Sequence, residues 1–290
     1  MTHIAIIGNG ISGVTAARSI RKKSNAKITL ISSETEHFYS RTALMYIYMG
    51  HMKYEHTKPY EDNFWVKNKI ELKHGYVKEV DFSQQRLYMD GGNVVDYDTL
   101  ILATGSKSNK FGWPGQDLEG VQGLYNYQDL EAMETSTANI KRAVVVGGGL
   151  IGVEMAEMLR SRNIDVTFLV REKSFWDTVL PKQESELINR HIKEHHIDLR
   201  LDTELVSIND DGNGKVKSVT LSTGEEIHCQ FVGLTVGVQP NVDFLKNSEL
   251  EIDRGILINE FLETNLKNVY AIGDCAEHRN PPSERKAIEQ

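Results

Sequence analysis

One pattern of glycines, written twice, constrains this chain more than anything else in it. Gly8, Gly10 and Gly13 of IAIIGNGISG recur at a constant offset of 139 as Gly147, Gly149 and Gly152 of VVVGGGLIGV. Each copy follows a short β-branched run, 4–7 or 144–146, and opens into a helix-like segment rich in Ala, Met and Leu. A second apolar run then follows, AKITLIS after the first copy and DVTFLV after the second. Strand, glycine turn, helix and strand make a βαβ unit, which requires a parallel sheet and a right-handed crossover. The first glycine of such a turn permits the sharp bend, and the second lets backbone amides approach a pyrophosphate. The third brings helix against strand, while the helix N-terminus favours the anion. The spacing therefore predicts an α/β protein with two Rossmann-like dinucleotide-binding domains, and hence two dinucleotides.

At 290 residues, with 40% hydrophobic and 26% charged, the chain is long enough for two cores. Between the copies, alternating apolar residues flank DGGN, and after the second copy a similar pattern surrounds DDGNG; both read as hairpins. The Gly- and Pro-containing loop NKFGWPGQDLEG suggests a boundary. The expected organisation is residues 1–110 as the first part of one domain, 111–238 as a second domain inserted into it, and 239–290 as the segment that completes the first.

The formal net charge of -8 argues against a general affinity for nucleic acid or an anionic membrane. The N-terminus reads directly into a β-like segment rather than a secretion signal, and no apolar run approaches the roughly 20 residues needed to span a bilayer. A cytoplasmic protein with Met1 as its mature N-terminus is expected. Two cysteines, Cys229 and Cys275, spell neither a zinc cluster nor a disulfide framework. His191, His195 and His196 have a spacing that can hold a metal on one helix face, but no third ligand is evident, so no metal is expected. Arg21, Lys22 and Lys23 read as the exposed end of the first helix.

An acidic residue that grips a ribose is expected about 20 residues after the last glycine, and Glu34 holds that place in the first copy. The second copy ends its strand in VREK, with Val170 where the acid commonly sits. Glu172 could accept from the ribose hydroxyls of NADH, whereas Arg171 and Lys173 could hold the 2′-phosphate of NADPH. The balance favours NADPH slightly.

Six segments in order, IIGNGISG, FYSRTAL, YDTLILATGS, VVVGGGLIGVEMAE, LTVGVQPN and TNLKNVYAIGDCAE, give the chain a resemblance to a known family. It resembles the FAD-dependent pyridine nucleotide oxidoreductases with two dinucleotide-binding domains, especially rubredoxin and ferredoxin reductases and the flavin module of assimilatory nitrite reductase. The resemblance implies FAD on the first copy and NAD(P)H on the second. Gly8, Gly10, Ile11, Ser12, Gly13, Glu34, Ala103, Thr104, Gly105, Gly273 and Asp274 would then belong to the FAD site. Gly147, Gly149, Leu150, Ile151, Gly152, Arg171, Glu172, Lys173 and Gly237 would belong to the NAD(P)H site. Arg41 would lie near the flavin and Glu154 near the nicotinamide, the two residues assigned to both cofactor binding and catalysis.

FYSRTALMY contains no cysteine, where peroxidase, oxidase and coenzyme A-disulfide members of the family it resembles carry one, and the redox cysteines that disulfide reductases carry after the first helix are missing too. Without a thiolate there is no nucleophile for such substrates. Hydride transfer from nicotinamide C4 to flavin N5 remains, with electrons passing on to an iron-containing acceptor: a rubredoxin- or ferredoxin-like protein, or a reductase subunit. Two other readings stay open, a nicotinamide-sensing interaction protein resembling apoptosis-inducing factor and a quinone or small-molecule reductase. Tyr46 stands where ferredoxin reductases often place a lysine that pairs with the nicotinamide-side glutamate. Family members also continue past GDCAE into a C-terminal interface domain that this sequence lacks, so a truncated form is expected, with a homodimer only if that domain is present.

Overall fold

The strand His3–Ile7 lies beside Lys27–Ser32 in parallel, from His3 against Lys27 to Ile7 against Ile31, and the helix Ile11–Lys23 connects them. Ala5, Ile6, Leu30 and Ile31 are almost completely buried, because a parallel sheet is covered on both faces and its strands read as unbroken apolar runs. In the computed structural model, which describes residues 1–281, five parallel strands form this sheet. Their order is Val269–Ala271, Thr99–Leu102, His3–Ile7, Lys27–Ser32, Ile70–His74. One face packs on Val14 and Ala17 of the helix Ile11–Lys23 and on Trp65 of the short helix Asn63–Lys67. The other meets the hairpin strands Val77–Asp81, Arg86–Met89 and Val94–Asp96, through Val77, Val80, Leu87 and Val95. Each fully buried Leu, Ile or Val contributes about 1.5–3 kcal/mol.

A second sheet repeats the plan in the order Asp198–Arg200, Asp165–Leu169, Arg142–Val146, Phe231–Leu234, Val121–Gln122, again parallel. The helix Leu150–Ser161 crosses between its two central partners, burying Met155, Ala156, Met158 and Leu159. A three-stranded antiparallel sheet, Leu205–Asp210, Val216–Leu221 and Glu226–His228, supplies Ile208, Val219 and Leu221 to the core of this unit.

The chain divides into two compact units: residues 1–40, 54–107 and 239–290 in one, and 41–53 and 108–238 in the other. The returning segment does add the strand Val269–Ala271 to the first sheet, and residues 282–290 of it lie outside the described residues. Two differences from the sequence reading have local causes. Residues 41–53 join the second unit, because the helix Leu44–Tyr48 is fixed there. Buried Tyr48 bonds Thr137 Oγ1 at 2.6 Å, and the Arg162 guanidinium lies 3.5 Å from the Tyr48 ring centre and donates to its carbonyl. The second unit also starts at residue 108 rather than 111, and its Gly-Pro loop is not a free linker. Ile208 N donates to Pro114 O at 2.8 Å, and a Cβ on Gly115 would fall 2.0 Å from Ile208 O. Among the described residues, no helix is long and apolar enough to cross a membrane.

Candidate functional site: two glycine turns at two switch points

In the first sheet the strand order reverses between His3–Ile7 and Thr99–Leu102, and the segments 8–10 and 103–105 leave their carboxyl ends side by side. Such a switch point is where open α/β sheets take their ligands. Gly8 has φ +112, and a Cβ there would fall 2.0 Å from Ala103 O. A Cβ on Gly13 would fall 2.0 Å from Gly8 O, so the helix sits directly on the turn. Gly10 differs, since its Cβ would meet nothing within 4 Å. It is the N-cap of the helix Ile11–Lys23, with no side-chain cap and no acidic residue in the first turn. The amides at Ile11 and Ser12 thus open beside a cradle suited to a pyrophosphate.

Glu34 stands just beyond the strand Lys27–Ser32, and its carboxylate accepts the Tyr39 hydroxyl. Asn9, within the glycine turn and 6% exposed, donates to Thr35 O at 2.8 Å, tying the turn to the Glu34 segment. Asn9 and Tyr39 lie inside the segments IIGNGISG and FYSRTAL but are not singled out there, because their roles are set by contacts to Thr35 and Glu34 rather than by the glycine spacing. Asp274 accepts from Ser106 Oγ at 3.4 Å, and Gly273 packs so close to Ser12 that a Cβ would lie 2.4 Å from its Oγ. Thr104 Oγ1 donates to Asn241 O at 2.8 Å. The structure therefore brings Gly8, Gly10, Gly13, Ala103, Gly273 and Asp274 to one end of one sheet.

The second sheet reverses between Arg142–Val146 and Phe231–Leu234, and there a cleft of about 430 Å³ opens. Gly147, Gly148, Gly149, Arg171, Glu172 and Gly237 line it. The turn repeats the first in detail: Gly147 has φ +118, Gly149 would carry a Cβ with nothing within 4 Å, and a Cβ on Gly152 would lie 2.1 Å from Gly147 O. The helix Leu150–Ser161 likewise has no side-chain cap. Thr235 Oγ1 donates to Val146 O at 2.8 Å and fixes the neighbouring loop. At the strand end Arg171 and Glu172 form an ion pair at 2.9 Å, with the guanidinium the more exposed partner. Lys173 is exposed and is not among the residues lining the cleft.

The cleft has further walls that no motif announced: Phe111, Trp113, Trp176, Thr203 and Glu204. Trp176 has φ 52, a left-handed conformation costing a non-glycine residue about 1–2 kcal/mol.

Arg41 donates to Tyr125 O at 2.5 Å, and its guanidinium lies 4.5 Å from the Tyr125 ring centre, both within the second unit. Glu154 is exposed on the helix Leu150–Ser161 and forms no ion pair among the described residues. Desolvation of its carboxyl, with the like charge of Glu157 beside it, nevertheless raises its pKa above the usual carboxylate value. Cys275 is fully buried and bonds Ile272 O at 3.3 Å, and burial raises its thiol pKa. Cys229 is also buried, its thiol pushed up to about 12 by desolvation. Neither thiol has the exposed, electropositive setting of a nucleophile. The His191 and His195 rings lie 4.2 Å apart, tilted at 50°, and among the described residues no three metal-ligating side chains gather.

Two parallel sheets, each with an uncapped helix behind a glycine turn at its switch point, define a two-dinucleotide α/β protein. The chain belongs to the pyridine nucleotide-disulphide oxidoreductase family, whose match runs over residues 2–290. Members of this family are oxidoreductases that use FAD and NAD(P)H. Among its relatives is the assimilatory nitrate reductase electron transfer subunit of Bacillus subtilis, 27% identical over 279 residues, covering 95% of this chain and 36% of the relative. Rhodocoxin reductase of Rhodococcus erythropolis is 32% identical over 287 residues, covering 96% of this chain and 66% of the relative. The crystal structure of a ferredoxin reductase from Rhodopseudomonas palustris superposes with a TM-score of 0.88 at 26% identity, covering 97% of this chain and 70% of that one. The chain thus spans between about a third and two thirds of the length of these two curated relatives.

Proposed function

We propose that this chain is the dinucleotide-binding part of an FAD-dependent NAD(P)H oxidoreductase that delivers electrons to a small redox protein or reductase subunit. The observation that carries the reading is the pair of uncapped helix N-termini at two switch points, each with one glycine whose missing Cβ leaves room for a phosphate. The flavin, when bound, supplies the step between two-electron nicotinamide chemistry and one-electron acceptors. On the first unit, Gly8, Gly10 and Gly13 bring backbone amides to its pyrophosphate, Glu34 takes the adenosine ribose, and Asp274 holds the ribityl side. On the second, Gly147, Gly149 and Gly152 do the same for the coenzyme.

Arg171 lines the cleft and is mostly exposed, while Val170 leaves the usual acidic position without a charge. This supports NADPH, with Arg171 leaving Glu172 to pair with the 2′-phosphate. The lack of a cysteine in FYSRTALMY, and the burial of Cys229 and Cys275, support a protein acceptor over a disulfide. The relatives' names, a nitrate reductase electron transfer subunit and a rhodocoxin reductase, point the same way.

The test is reconstitution with FAD followed by anaerobic mixing with NADPH or NADH. Bleaching of the flavin band and turnover with a ferredoxin or rubredoxin panel are expected. Protein that takes up no FAD refutes the reading. Fast reduction with a stable reduced complex, altered oligomer size and no acceptor would make it a sensor, and turnover with quinones alone a small-molecule reductase.

A further inference from the structure

The cleft of the second unit has aromatic walls that neither the phosphate turn nor the charged strand end requires. Phe111 and Trp113 come from the loop pinned to the strand Leu205–Asp210, and their rings meet edge to face at 5.5 Å. Phe111 is 64% exposed and so presents its ring to the cleft and to solvent. Trp176 comes from a different loop, five residues beyond Arg171. Its backbone is held in the left-handed region while Val179 N and Leu180 N donate to its carbonyl at 3.0 and 2.9 Å, and its ring meets buried Phe175 at 6.4 Å. Glycine or asparagine would fill such a turn without strain, so a tryptophan there directs attention to what its side chain does.

The ligand that suits these walls follows from the charges beside them. A pyrophosphate on 147–149 and a ribose at Arg171–Glu172 leave the purine of the same nucleotide beyond the ribose, among side chains with flat faces. We propose that Trp176 stacks on the adenine of the coenzyme, with Phe111 and Trp113 completing an aromatic recess for that base. This rests on the second unit being the pyridine nucleotide site. It makes the adenosine half the anchored half, and gives the cleft a preference for adenine nucleotides over the nicotinamide mononucleotide half alone.

The experiment titrates ADP and nicotinamide mononucleotide separately into the whole protein, reading tryptophan emission and calorimetric affinity, with melting curves as the check on folding. Wild-type emission should fall with ADP, and Trp113→Phe should keep most of that quench. Trp176→Phe should abolish most of it while holding ADP affinity within about threefold, since a phenyl ring still stacks. Trp176→Ala should weaken ADP about tenfold and leave the mononucleotide unaffected. Unchanged ADP affinity in Trp176→Ala, equal losses in the Phe and Ala variants, or equal weakening of both ligands would overturn the assignment. If wild-type protein binds neither ADP nor NADPH, the pyridine nucleotide reading itself fails, and this inference with it.

Discussion

Replacing Gly149 and Gly152 by alanine, one at a time, should separate the binding role of the glycine turn from its packing role. An alanine Cβ at Gly152 would lie 2.1 Å from Gly147 O, 2.9 Å from Phe168 Cε2 and 2.9 Å from Thr235 Oγ1. Phe168 is fully buried and Gly147 O is backbone, so the helix itself must move away. Overpacking of this kind costs about 3 kcal/mol, the upper end of its usual range, and alanine's helical preference offsets about 1 kcal/mol. The net loss of about 2 kcal/mol should lower the melting temperature by roughly 4–8 °C. At Gly149 the backbone is extended, φ -106 and ψ -173, and the new Cβ would have no neighbour within 4 Å. Stability should stay close to wild type, because an entropy gain of about 0.4–1 kcal/mol is offset by alanine's poorer fit at an N-cap. The same methyl would stand where the phosphate approaches, and losing one charge-assisted bond of about 1.5–3 kcal/mol weakens NADPH by roughly 10–100-fold. Calorimetric unfolding and NADPH titration of both variants read the two effects. Tight binding by Gly149→Ala, or a Gly152→Ala melt matching wild type, would refute the argument.

If Arg171 holds the 2′-phosphate as proposed, Arg171→Glu should raise the NADH-to-NADPH ratio of catalytic efficiency by about tenfold or more, since it would put a like charge beside that phosphate; an unchanged ratio removes Arg171 from the site. Glu154 has a raised carboxyl pKa in the folded protein, so the fold binds its proton more tightly than the unfolded chain and loses stability as pH rises through that range. Glu154→Gln should therefore melt slightly higher than wild type at neutral pH and level with it below the ordinary carboxylate range, as melting curves across pH would show. Cys229 and Cys275, both buried with raised thiol pKa, should resist a thiol reagent at pH 8 in native protein and react fully after unfolding. Rapid native labelling would contradict their burial.

The parts of the fold that were legible are those with a period or a fixed spacing. Residues 4–13 and 144–152 announce strand, turn and helix because glycine alone meets the steric demand at Gly8 and Gly147. The hairpins at DGGN and DDGNG follow from turn chemistry, and the return of the last segment from the second unit's early completion. What the sequence did not reveal depends on contacts remote along the chain. Arg162 reaches Tyr48 across 114 positions, and no local pattern says that helix Leu44–Tyr48 belongs with it. Trp176 and Phe111 sit in loops, where a large ring has no periodic signature.

The placement of residues 41–53 has a consequence for how this protein can be made. The backbone passes between the two units four times, after residues 40, 53, 107 and 238. Neither unit is a contiguous stretch that a single cut could release. Expressing 108–238 alone would leave Thr137 and Arg162 without Tyr48, while the first sheet cannot close until Val269–Ala271 has been synthesised. On the ribosome the second unit has all its parts first, and the unit that begins the chain is the last to be finished.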